Sequence, residues 1–131
     1  MNRSTLSLAA FALVLAVPAC RNAELRDPAP IAANADQAKN ISAIKKALQE
    51  RGWVLEKEGP GQIDAMVVVR GKHTAKVTIK HDQSTIQILY RDSSNLEYEV
   101  DSKGRRTIHD NYMSWVNNLR NDIARHLSLS N

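Results

Sequence analysis

The chain has a single cysteine, Cys20. That excludes an intramolecular disulfide and any zinc site built on spaced cysteine pairs. No Gly-x-Ser-x-Gly occurs, so there is no sequence for the strained elbow that exposes a hydrolase serine. No His-x-x-x-His occurs either, which removes the helical pair of ligands typical of zinc peptidases. There is no internal repeat. The longest apolar stretch, Leu6 to Val17, falls short of the roughly 20 residues that a spanning helix needs. Charge is also modest. Lys and Arg total 18 against 14 Asp and Glu, a net +4 that becomes +3 if the segment bearing Arg3 is removed. The excess is spread along the chain, so it neither demands a nucleic acid nor rules out an anionic surface.

What is present begins with an address. Arg3 and the amino terminus precede the apolar stretch, and Val17-Pro18-Ala19 leads directly into Cys20, as in an export signal. The small Ala19 and the branched Val17 suit the narrow subsites of a signal peptidase, so cleavage is expected between Ala19 and Cys20. This segment resembles the bacterial lipobox, whose cysteine receives a thioether-linked diacylglycerol, although Pro18 departs from the usual small residue. Two or three acyl chains at about 0.8 kcal/mol per buried methylene hold a protein on a membrane nearly permanently. By resemblance to enterobacterial sorting, Arg21 rather than Asp after the cysteine implies the outer membrane. If Pro18 diverts processing, the same cut leaves a soluble exported protein with a free thiol.

Three segments are expected: a signal peptide over 1–19, a lipidated tether over 20–34 and a small α+β domain over 35–131. The stretch from Arg21 to Asn34 has two prolines, several alanines and no apolar period. Read as an extended tether, it lifts the domain on the order of 40 Å from the lipid at about 3.1 Å per residue. The remainder suffices for one small core.

Asp36 can cap a helix in which Ile41, Ile44 and Leu48 recur at helical spacing, and Gly52 can end it. Trp53 and Leu55 begin an extended segment, and Gly59-Pro60-Gly61 turns the chain. Strands follow: Ile63, Ala65, Val67 and Val69 alternate in one, Ala75, Val77 and Ile79 in the next, and Ile86, Ile88 and Tyr90 in the third. A polar loop is expected from Asp92 to Asp110. Tyr112, Trp115, Val116, Leu119, Ile123 and Leu127 then mark a second amphipathic helix, with Asp110 as N-cap, Asn111 as the alternative, and Trp115 at the centre of the interface. The pattern predicts an α+β fold in α-β-β-β-α order. It consists of an antiparallel three- to four-stranded meander with the N-terminal and C-terminal helices packed on one face.

Arg51-Gly52-Trp53, His73-x-Ala75-x-Val77-x-Ile79, Ile86-x-Ile88-x-Tyr90, Ser94-Asn95-Leu96 and Ile108-His109-x-x-Tyr112-x-x-Trp115-Val116-x-Asn118-Leu119 stand in that order behind the cysteine. In this arrangement the chain resembles small proteobacterial lipoproteins whose activity is uncharacterised. The resemblance implies a lipid-anchored domain with a strand meander between two helices. It carries over no catalytic residue.

His73, His81 and His109 with Asp82 and Asp92 supply ligand chemistry for a metal, but not the spacing. They are read as satisfied or exposed side chains, with no metal and no cofactor expected. Asp92, Ser93, Ser94 and His109 lack an elbow and an oxyanion hole, and Asp92-Ser93-Ser94-Asn95 reads as a turn. His109 and Tyr90 are expected to pair and hold the loop on the sheet. The candidate binding surface is the polar sheet face, with Lys72, Lys76 and Lys80 along one strand and Arg91 beside them. Lys103-Gly104-Arg105-Arg106 is read as a loop tip.

The expectation is a non-enzymatic binding or scaffold module. Its acylated Cys20 would sit in the outer membrane and its domain would face the periplasm. Its partner would be an anionic envelope component or an envelope protein, not nucleic acid. The alternatives are a soluble exported ligand-binding domain and a small periplasmic enzyme.

Overall fold

A computed structural model describes residues 21–131. Cys20 and the signal segment, on which the cleavage and lipidation expectations rest, lie outside the described residues. Helix α1 (Gln37–Glu50) starts where expected, with the Asp36 carboxylate accepting from the Ala38 N–H at 3.0 Å. It ends at Gly52, whose φ of +73° is the left-handed conformation that glycine adopts without steric cost. There the Trp53 N–H donates to the Leu48 carbonyl (2.9 Å) and the Gly52 N–H to the Gln49 carbonyl (3.2 Å). This double bond pattern satisfies carbonyls that the helix end leaves free.

Strands β3 (Val54–Gly59), β4 (Gln62–Val69), β5 (His73–His81) and β6 (Thr85–Ser94) form a consecutive antiparallel meander. Period-two alternation puts Ile63, Ala65, Val67, Ala75, Val77, Ile79, Ile86 and Ile88 on the buried face. Both helices cover that face, so the molecule is α+β as the pattern predicted. Helix α2 (Asp110–Leu129) contributes Tyr112, Val116, Leu119, Ile123 and Leu127, while α1 contributes Ala43, Ile44, Ala47 and Leu48. Trp115 is not the centre of this interface. It is half-buried on the flank of α2, and the largest fully buried side chain is Tyr112.

The segment read as a tether is instead packed onto the domain. Strand β1 (Asn22–Glu24) pairs with β8 (Arg106–His109), and β2 (Ile31–Ala32) extends the large sheet by pairing with β6. Along this segment Leu25, Pro28 and Ile31 are buried. Arg120 on α2 clasps this strap by donating to the Ala29 carbonyl at 2.8 Å, and the Asp27 carboxylate accepts from the Tyr90 N–H at 2.9 Å. The physical reason is apolar burial at a spacing of three, a period that belongs to neither a helix nor a strand.

The expected loop from Asp92 to Asp110 also has structure. Strand β6 continues to Ser94, and β7 (Glu99–Val100) forms a hairpin with β8, so β1, β8 and β7 make a second small sheet. The Asp101 carboxylate organises the hairpin turn by accepting from the Lys103 and Arg105 N–H groups. Strand β8 runs into α2 without a linker, which makes His109 the N-cap in place of Asp110 or Asn111. Its Nδ1 accepts from the Asn111 N–H at 3.2 Å. Asp110 occupies the first turn, where a carboxylate complements the helix dipole.

Candidate functional site

The four cations read as a binding face do not form one open patch. Lys72 lies in the β4–β5 turn, Lys76 is half-buried in register with Met66 and Asp92, and exposed Lys80 stands between Gln62 and Gln87. Eight residues of strand put Lys72 and Lys80 roughly 26 Å apart. Arg91 is taken by Glu56. The register gives each of them as an extra residue in its strand: Leu55 pairs with Ala65 and Lys57 with Asp64, while Lys76 pairs with Asp92 and Val77 with Tyr90. These two bulged residues reach each other across β4 and β5 as an ion pair. Asp64, which accepts from the Thr78 hydroxyl at 2.8 Å, adds a further anion to this face.

The other constellations also resolve into structural contacts. The Ser93 hydroxyl is 2.8 Å from that of Tyr90, His73 Nδ1 donates to the Asn95 carbonyl at 2.7 Å, and His109 caps α2. His109 does not pair with Tyr90. Tyr90 stacks on Tyr98 at 4.5 Å between ring centroids and meets Tyr112 edge-on at 5.5 Å, so all three tyrosines of the chain form one cluster. Among the described residues no three His, Asp or Glu side chains converge as a metal would require.

His81 occupies a polar junction that periodicity did not reveal. Gln37 Oε1 accepts from Asn40 Nδ2 (2.9 Å), which fixes the Gln37 amide nitrogen as the atom 2.6 Å from His81 Nδ1. Nδ1 is thus the acceptor, and the ring proton belongs on Nε2, which is buried and meets no polar protein atom among the described residues. Asn40, fully buried, also bonds the N–H and carbonyl of Asn34 and the Asp82 carbonyl, pinning the start of α1 to the β5–β6 turn.

Burial holds the His81 pKa below its usual value. The unfolded chain therefore takes up a proton first as pH falls through about 6.5. Stability should be full above that value and decline as pH drops towards the folded-state pKa. The carboxylates with lowered pKa, Glu50, Asp82, Asp101 and Asp122, work in the same sense but in a lower pH window. Their contribution is present above the usual carboxylate range and lost only at lower pH. Urea midpoints at pH 7.5 and 5.5 are expected to differ in the wild type and to converge in His81→Gln. A pH dependence retained by that variant would refute the assignment.

The far end of α1 is held to α2 by ions. Arg51 Nε donates to Asp122 at 2.6 Å, and Arg125 and His126 approach Glu50 at 3.0 and 2.9 Å. Beside Arg51, a cleft of about 230 Å³ is lined by Trp53, Val67, Val69, Trp115 and Asn118. Both tryptophans of the chain line it. Their shared presence in an otherwise aromatic-poor sequence is the only sequence signal that pointed here.

This cleft adjoins one end of the molecule, at which several distant segments meet. The Asp110 N–H donates to the Arg21 carbonyl (3.0 Å) and the His109 N–H to the Leu96 carbonyl (2.8 Å). Asn95 Nδ2 donates to the Lys72 carbonyl (2.8 Å). Arg21, Arg70, Lys72 and His73 are thereby gathered where the described chain begins. Arg21, Arg70 and Lys72 are exposed and belong to no ion pair among the described residues. No family model, curated protein or solved structure matches this chain.

Proposed function

We propose that this chain is a lipid-anchored lipoprotein of the outer membrane. Acylated at Cys20, it faces the periplasm and acts as a non-enzymatic binding or scaffold module for an anionic envelope component or an envelope protein. The observation that carries the reading is the cysteine placed directly after Val17-Pro18-Ala19 and the apolar stretch from Leu6 to Val17. Its non-enzymatic half is supported by the structural contacts of three polar side chains that catalysis could use: Ser93 on Tyr90, His73 on Asn95 and His109 on the start of α2.

Labelled palmitate tests the anchor. The wild type is expected to incorporate label and to fractionate with membranes, and Cys20→Ser to lose the label entirely. An unlabelled wild type in the soluble fraction refutes the reading. Pro18 favours that second outcome, a soluble exported domain cut at the same bond.

A further inference from the structure

We infer that the end of the domain carrying Arg21, Arg70 and Lys72 lies against an anionic phospholipid surface. The first ground is where the chain enters. Residues 1–20 precede the described domain, and strand β1 begins at Asn22, so Arg21 alone separates the last of them from a paired strand. Asp110 holds the Arg21 carbonyl at the start of α2, which fixes the entry point to the body of the fold. A lipid attached at residue 20 therefore brings this end, and no other, to within a few ångströms of the headgroups. In this respect the inference rests on the proposed anchor.

The second ground is charge. Arg70 and Lys72 flank Gly71 in an exposed turn, and Asn95 ties that turn to the same end. The anions nearby are exposed Glu97 and half-buried Asp110. Three free cations remain to meet lipid phosphates, each able to strengthen contact about fivefold at an anionic surface. Arg70 itself has φ +56°, a conformation uncommon outside glycine. The turn thus presents a long cation where a small residue would be the ordinary choice.

Chemical protection tests this orientation within single molecules. The mature protein, purified in detergent, is reconstituted on phosphatidylcholine vesicles with and without phosphatidylglycerol, and a membrane-impermeant amine reagent is applied. Lys72 should react roughly fivefold more slowly on the anionic vesicles than in detergent. Lys103, in the hairpin turn at the other end of β8, should be unchanged. Arg21→Gln with Arg70→Gln should return Lys72 towards its detergent rate. Equal reactivity of Lys72 in vesicles and detergent, or equal protection of Lys103, overturns the inference.

Mass spectrometry of the amino terminus in the same preparation reports the anchor separately. If the thiol is unmodified, sedimentation with phosphatidylglycerol vesicles decides the face. Support is binding that Arg21→Glu/Arg70→Glu/Lys72→Glu abolishes and Lys39→Glu/Lys80→Glu/Lys103→Glu preserves, with both variants matching the wild-type urea midpoint. No binding, or equal loss in both variants, overturns it.

Discussion

Replacing Leu25 and Ile31 together by alanine is expected to lower the unfolding free energy by on the order of 5 kcal/mol. Both side chains are about 95 % buried, under residues that a linker would not touch. Each truncation loses the transfer energy of its missing carbons and leaves a void that the strap can close only in part, because β1 and β2 are held by ladder bonds on either side. Domains of this size are stable by roughly 5 to 15 kcal/mol, so the double variant would lose a large share of the total. Urea unfolding followed by tryptophan fluorescence measures it. A midpoint equal to that of the wild type would mean that residues 21–34 hang free.

The second large effect belongs to Tyr112. Its ring is 1 % exposed, packed edge-on against Tyr90, and Tyr112→Ala should cost about 4 kcal/mol. Tyr112→Phe should behave quite differently. No protein group among the described residues hydrogen-bonds the Tyr112 hydroxyl, and its burial pushes the phenol pKa far above the ordinary range. Removing that oxygen forfeits no protein hydrogen bond, so Phe is expected to stay within about 1 kcal/mol of wild type. Denaturant titration of the pair checks both. A phenylalanine as damaging as alanine would contradict the packing argument.

The parts of the fold legible in the sequence were those with a clean period or cap. The alternation through Ile63–Val69, Ala75–Ile79 and Ile86–Ile88 gave the central strands, and Asp36 and Gly52 bounded α1. Elements of two to four residues are too short to show a period, which is why β1, β2, β7 and β8 were hidden within a linker and a loop. Trp115 misled for a geometric reason. At about 100° per residue it sits roughly 80° from the centre of the stripe formed by Tyr112, Val116, Leu119, Ile123 and Leu127. Size suggested the centre, but angle decided against it.

The site was less legible still. Lys72, Lys76, Lys80 and Arg91 share a face on a regular ladder, but Arg91 in β6 and Glu56 in β3 are each an inserted residue, and they pair with each other. Bulges have no sequence signature that a count of alternating residues detects. Arg21, Arg70 and Lys72 are far apart in the chain, and only the β1–β8 pairing and the Asn95 loop bring them to one end.

The inserted Glu56 has a consequence beyond its partner. Strand β3 is the open margin of the larger sheet, with Val54 59 % exposed, and such a margin invites another copy to zip on. If the proposed anchor confines these domains to a plane, they collide far more often than molecules in bulk. Here the margin carries a bulge, and a parallel self-match in register would set Glu56, Lys57 and Glu58 each against its own kind. An edge of this kind keeps neighbouring domains separate rather than letting them grow into a ribbon.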